Sequence, residues 1–169
     1  DIVHVSGKVS PKDDIEIINT ELVLADLSTV ESLYQKALKG SKAGQKEGLP
    51  LKNLLEKILP VLEEGKSLRT VSFNEEEQKL LKGFQLLTIK PVLYVANVNE
   101  DGFESNPFLK QIYDLANEEG SEVVAICAEL EAEISGLTND EKIEFLKELG
   151  LEESGLDRLT RAGSVSYTH

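Results

Sequence analysis

The chain has 169 residues, enough for one domain with a buried core and not demanding two. Its 18 Lys and Arg face 31 Asp and Glu, a net charge of −13, which excludes a uniformly basic nucleic-acid surface, while 40 % apolar residues in periodic runs are too many for a disordered acidic tail. The single Cys127 and two distant His exclude an internal disulfide and a structural zinc site, no run reaches the ~18 apolar residues of a membrane span, and a reducing cytoplasmic setting is the default.

Asp1-Ile2-Val3-His4-Val5 lacks the basic and apolar regions of a signal peptide. With no Met anywhere, the sequence starts in mid-pattern, as a piece of something longer would. Ser10-Pro11-Lys12-Asp13 then predicts a helix start: Ser10 caps, Pro11 suits the first helical position, and Asp13 meets the free N–H groups. Ile15, Ile18, Leu22 and Ala25 mark one seam and Ile17, Leu24, Leu27, Tyr34 and Leu38 broaden it, until Gly40 ends the helix. At 1.5 Å per residue the helix is about 40 Å long, more than a compact domain of this size needs, and is expected to project.

Gly40, Gly44 and Gly48 mark a loop, after which Leu51, Leu54, Leu55, Ile58 and Leu62 rebuild a helical stripe ending at Gly65. Two stripes joined by a short loop predict an antiparallel hairpin, with a kink at Pro60. Asn74 and Glu77 stand in capping-box spacing ahead of Leu80, Leu81 and Phe84, a third helix.

From Pro91 the pattern changes. Pro91-Val92-Leu93-Tyr94-Val95-Ala96 followed by Asn97-Val98-Asn99-Glu100 has the form of a buried parallel strand and its carboxyl-end loop. Asn106-Pro107 opens a helix bearing Leu109, Ile112 and Leu115 or Ala116, closed by Gly120, and a second apolar run spans residues 122–128. Strand, helix and strand in about forty residues make a βαβ unit, whose ligand loops lie at the strand carboxyl ends and whose missing strands must come from elsewhere. Thr138 with Glu141 caps a helix bearing Ile143, Phe145, Leu146 and Leu149; Ser154 with Asp157 opens a last short helix closed by Gly163, and residues 164–169 show no periodicity.

Gly65-Lys66-Ser67 has the ending of a phosphate loop, but Pro60 stands where the first Gly belongs and the segment follows a helix, so an ordinary turn is expected. Gly7-Lys8 fails as well, because Val9 replaces the hydroxyl residue. Asn97-Val98-Asn99-Glu100 and Cys127-Ala128, leaving adjacent strands, form either a grip on one flat ligand, where an Asn amide matches a purine edge with both donor and acceptor, or an Asn-rich turn ahead of Gly102. Lys36, Lys39, Lys42 and Lys46 against Glu47 give residues 35–47 a local charge of +3, a basic hairpin tip that either touches RNA phosphates or is a solvated loop without a stacking aromatic. His4 and His169 have no neighbouring nucleophile, and Cys127 ends a buried run, so no catalytic residue is assigned.

Asp1-Ile2-Val3-His4-Val5-Ser6-Gly7, Asp14 through Leu22, Lys90-Pro91, Tyr94 through Glu104, and Gly155-Leu156-Asp157-Arg158 resemble the YchF / Obg-like ATPase family of P-loop proteins, over about residues 1 to 163. The resemblance implies a mostly helical α/β fragment, in which a long antiparallel hairpin, the coiled-coil arm, is attached to the partial parallel sheet of a G domain. Residues 1–10 would be a G-domain remnant, 11–88 the arm, 89–163 the base-recognition half and 164–169 a tail. It implies ATP, or GTP, as ligand and ribosome association as the setting. Asn97-Val98-Asn99-Glu100 then stands where guanine-specific relatives carry N-K-x-D. Val98 and Glu100 weaken that guanine code and make adenine acceptable; Asn97 would contact the purine edge, Val98 would pack on its face, and Cys127-Ala128 would supply backbone contacts. The phosphate loop, switches and Mg2+-binding Asp of the family lie before the residue matching Asp1, and the TGS domain after the residues matching 163. The chain alone is therefore expected to be inactive although intact family members hydrolyse ATP. The competing expectation is a non-catalytic acidic helical module that docks on RNA or a protein partner through its lysine tip.

Overall fold

The computed structural model describes residues 10–41, 49–100, 103 and 106–167. The elements are α1 (Pro11–Ser41), α2 (Leu49–Glu63), a single 3-10 turn (Leu68–Thr70), α3 (Glu75–Lys82), β1 (Leu93–Asn97), α4 (Pro107–Glu119), β2 (Glu122–Ile126), α5 (Ala128–Ser135), α6 (Asn139–Glu148) and α7 (Gly155–Tyr167). The chain divides into two compact units, one of Asp13–Pro91 and one of Val92 onward with the residues up to Lys12.

The helical unit is built around Val23 and Val30 of α1, Leu54, Leu55, Ile58 and Leu62 of α2, and Leu68, Leu81 and Leu86, all buried in one cluster. Each such aliphatic side chain contributes about 1.5–3 kcal/mol on leaving water, so the α1–α2 seam dominates the unit's stability. Tyr34 adds a polar tie, its Oη donating to Glu56 Oε1 at 2.9 Å; that bond, burial and the negative charge of Glu56 push the phenol above its ordinary pKa. The buried face of α1 differs from the expected stripe: Ile17, Ile18 and Leu24 are more than half exposed, whereas Val23, Asp26 and Val30 face inward. Apolar residues lie almost all round the first half of α1, so periodicity alone does not choose the face; the packing of α2 does. α2 begins at Leu49, earlier than expected, with Pro50 accommodated in its first turn, and continues through Pro60.

The capping boxes form as spaced: Asn74 Oδ1 accepts from Glu77 N and Glu77 Oε2 from Asn74 N, and Thr138 and Glu141 repeat the exchange. In the second unit β1 and β2 pair in parallel, Leu93 opposite Glu122 through Asn97 opposite Ile126. α4 packs on both strands, capped by the Asn106 side chain and ended at Gly120, and Ala96, Val98, Leu109 and Ala125 form the buried centre. α7 is longer than expected: Gly163 lies inside it and the helix runs to Tyr167, through part of the expected tail. Gly163 is not among the glycines with positive φ, so the left-handed turn with which a glycine commonly closes a helix is absent there. Among the described residues no helix is long and apolar enough to cross a membrane.

Candidate functional site

Both candidate loops leave the carboxyl end of the sheet side by side because β1 and β2 are in register to their last residues. Val98 N continues the ladder, donating to Ile126 O at 2.8 Å. Beyond that point Asn97, exposed at the end of β1, turns its Oδ1 to accept from Ala128 N at 3.1 Å. Ala128 is the first residue of α5, and Cys127, its cap residue, makes no side-chain capping bond. Asn97 therefore caps α5 from 31 residues away, satisfying an N–H that the helix itself cannot.

The six expected base-site residues thus gather at one end of the sheet with different surroundings. Asn97, Asn99, Glu100 and Ala128 are exposed, while Cys127 is buried. Val98, expected on the face of a purine, is 8 % exposed and packs with Ala96, Leu109 and Ala125. Its side chain faces the protein core, because residues alternate across a strand and Val98 still follows the alternation of β1. The Asn97 carbonyl oxygen is engaged by Ala128, which leaves its amide as the group that can donate outward.

Behind this loop stand residues whose role sequence patterning did not assign. Glu131, one turn into α5, accepts from Gly155 N at 2.6 Å, and Arg158 Nη2 donates to Ala125 O at 3.0 Å. Ser154, buried at the start of α7, accepts from Asp157 N through its hydroxyl at 3.1 Å, the helix start that their spacing predicts. Arg158 had its signal only in the run Gly155 to Arg158, as part of a family resemblance, and Glu131 had none.

Gly65-Lys66-Ser67 is a helix end and not a phosphate cradle. Gly65, at φ 76°, donates to Leu62 O, and Lys66 N donates to Val61 O. Those two N–H groups are consumed by the last turn of α2 and none faces an anion. The Lys66 ammonium lies 2.7 Å from Glu64 Oε2 and holds that carboxyl below its ordinary pKa. Lys36 and Lys39 are exposed near the end of α1; Lys42, Lys46, His4, His169 and Gly7-Lys8 lie outside the described residues. Among the described residues no three His, Cys, Asp or Glu converge as metal ligands.

No family model matches the chain. Among curated proteins it is 52 % identical over 163 residues to the ribosome-binding ATPase YchF of Haemophilus ducreyi, covering 96 % of this chain and 45 % of that protein. The proteins of the same name from Escherichia coli O157:H7 and Bacillus subtilis are 51 % and 47 % identical over 162 and 164 residues, again 45 % of their length. Of solved structures, the YchF GTPase of Schizosaccharomyces pombe superposes with a TM-score of 0.86 at 27 % identity, over 98 % of this chain and 46 % of that one. The chain is thus similar, at about half identity along nearly its whole length and with the same fold, to YchF proteins, and spans a little under half the length of the curated relatives it matches.

Proposed function

We propose that this chain is the purine-reading half of a ribosome-associated nucleotide hydrolase, together with the helical arm set into that domain. The observation that carries the reading is the 3.1 Å bond from Ala128 N to Asn97 Oδ1, which brings two strand-end loops to one spot, where open α/β sheets bind nucleotides. Relatives named ribosome-binding ATPases and a neighbour named a GTPase support the ligand class. In this reading the Asn97 amide meets the base edge, the Cys127–Ala128 turn, its Ala128 N–H held by Asn97 Oδ1, lies beside the base as a wall, Asn99 and Glu100 set the choice between adenine and guanine, and Val98 holds the loop from beneath. Bound ATP or GTP would have its phosphates and Mg2+ handled by polypeptide upstream. Residues 11–88 form the arm, an antiparallel coiled-coil hairpin, with Lys36, Lys39, Lys42 and Lys46 at its tip meeting RNA phosphates.

A titration tests both halves. With the chain expressed together with the upstream sequence its own gene encodes, ATP binding should appear and fall by about tenfold, equivalent to about 1.4 kcal/mol, on Asn97→Ala. Undiminished binding would remove Asn97 from the site. Replacing the four lysines with Gln should flatten the salt dependence of ribosome association, and an unchanged slope would discard the tip.

A further inference from the structure

We propose that Glu131, Gly155 and Arg158 are positioning residues for the Cys127–Ala128 loop, so that the first turn of α7 is the strut against which the purine edge is read; the inference rests on the nucleotide-reading function above.

The loop is held on both sides by the same four-residue stretch. Just before it, the Ala125 carbonyl points away from β1, since the alternate residue Ile126 bonds Val98, and the guanidinium of Arg158 takes that outward oxygen at 3.0 Å. One turn after it, Glu131 Oε1 receives Gly155 N at 2.6 Å. Between these bonds Ile126 lies directly against Gly155: a Cβ added there would come within 2.9 Å of Ile126 Cγ2 and 2.6 Å of Glu131 Oε1. Only glycine lets α7 approach this closely.

The polar atoms here exceed what packing requires. Glu131 Oε2 and Arg158 Nε are buried without a hydrogen-bond partner, a cost that apolar side chains of the same shape would avoid. Retaining a carboxylate and a guanidinium at that cost fits a demand for directed bonds, which fix position more sharply than apolar contact does. The base contacts assigned above depend on that sharpness, because Asn97 Oδ1 and the Ala128 amide meet across two loops and a displacement of a fraction of an ångström disorients both.

Binding of ATP and of inorganic tripolyphosphate separates a positioning role from a merely structural one. In the chain expressed with its upstream sequence, Glu131→Ala should weaken ATP about tenfold and leave tripolyphosphate unchanged, while Glu131→Gln, whose Oε1 still accepts from Gly155, should stay within about twofold of the unsubstituted protein. An equal loss for both ligands, or no loss for either, overturns the proposal. If Glu131→Ala fails to fold, Arg158→Lys, which keeps the charge but loses the fork that holds Ala125 O, carries the same comparison. Failure of the unsubstituted protein to bind ATP would instead defeat the nucleotide-reading function. Amide exchange in the 169-residue chain then decides the strut alone: in Glu131→Ala the Ala128 N–H should exchange about tenfold faster with Leu109 unchanged, and unaltered exchange at Ala128 overturns it.

Discussion

Asp26 is an acid on the buried face of α1, 2 % exposed, where the helical pattern asks for an apolar residue. Its Oδ1 accepts from Leu87 N and its Oδ2 from both Thr88 N and the Thr88 hydroxyl, each at 2.7 Å. Thr88 Oγ1 in turn accepts from Leu68 N at 3.2 Å, and the Thr88 carbonyl from Arg69 N at 3.0 Å. One carboxylate thus pairs the backbone N–H groups of Leu87 and Thr88, which belong to no helix or strand, the second of them on a fully buried residue. Replacing Asp26 by Ala leaves three donors without an acceptor, at about 1–3 kcal/mol for each one that stays buried. A loss of about 3–5 kcal/mol is therefore expected, read as a lower urea midpoint. Asp26→Asn should cost less, because one carbonyl oxygen remains while the amide nitrogen faces a donor. A loss under about 1 kcal/mol for Asp26→Ala would show that water replaces the carboxylate.

At the scale of the element, two helix starts carry the same device and a shared pH dependence. Glu77 is held below its ordinary pKa by the Asn74 N–H first and then by the Lys57 ammonium, and Glu141 by the Thr138 N–H and then its hydroxyl. Because the folded state lowers these pKa values, the stabilisation is complete above the ordinary carboxylate range and is lost as the pH falls through the depressed values. Glu77→Gln should reduce the slope of stability against pH in that acid window and leave it unchanged near neutrality, and chemical denaturation at a series of pH values checks it. An identical slope would mean that Glu77 titrates alike folded and unfolded.

These boxes, the Asn106-Pro107 start and the Gly120 stop were legible in the sequence, because donor and acceptor lie within four residues and local spacing fixes them. The parallel strand pair was legible for the same kind of reason, as two apolar runs flanking one helix. The buried face of α1, the grip of Asp26 and the strut from Gly155 to Arg158 were not, since each depends on a partner 24 to 62 residues away. Of the site, the residue types of the two loops could be read, but the turning of Val98 into the core and of Asn97 onto Ala128 could not.

At the scale of the whole molecule, every member of the larger buried cluster and its packing neighbours lies between Val23 and Ile89, within the Asp13–Pro91 unit. That unit keeps its own core and its own polar clamp, and Arg69 Nε closes onto Lys90 O at 3.2 Å near its end. A polypeptide of residues 11–91 should accordingly fold by itself, with the modest stability expected of domains near 80 residues. A single cooperative melting transition by circular dichroism is the expected outcome; a gradual, featureless loss of helix would show that the unit borrows its stability from the rest of the chain.

The bond between Asp26 and Thr88 also bears on how freely the Asp13–Pro91 unit can vary in length. It closes a loop of its own, so residues inserted between positions 26 and 88 enlarge a ring that is already fastened, and the entropy of lengthening such a ring rises only logarithmically, by about 0.6 kcal/mol per doubling. The polypeptide on either side meets the same short span whatever the ring holds. Residues added inside the ring would then leave this one fastening unchanged, and the length of the Asp13–Pro91 unit becomes a quantity that selection can tune separately from the clamp that closes it.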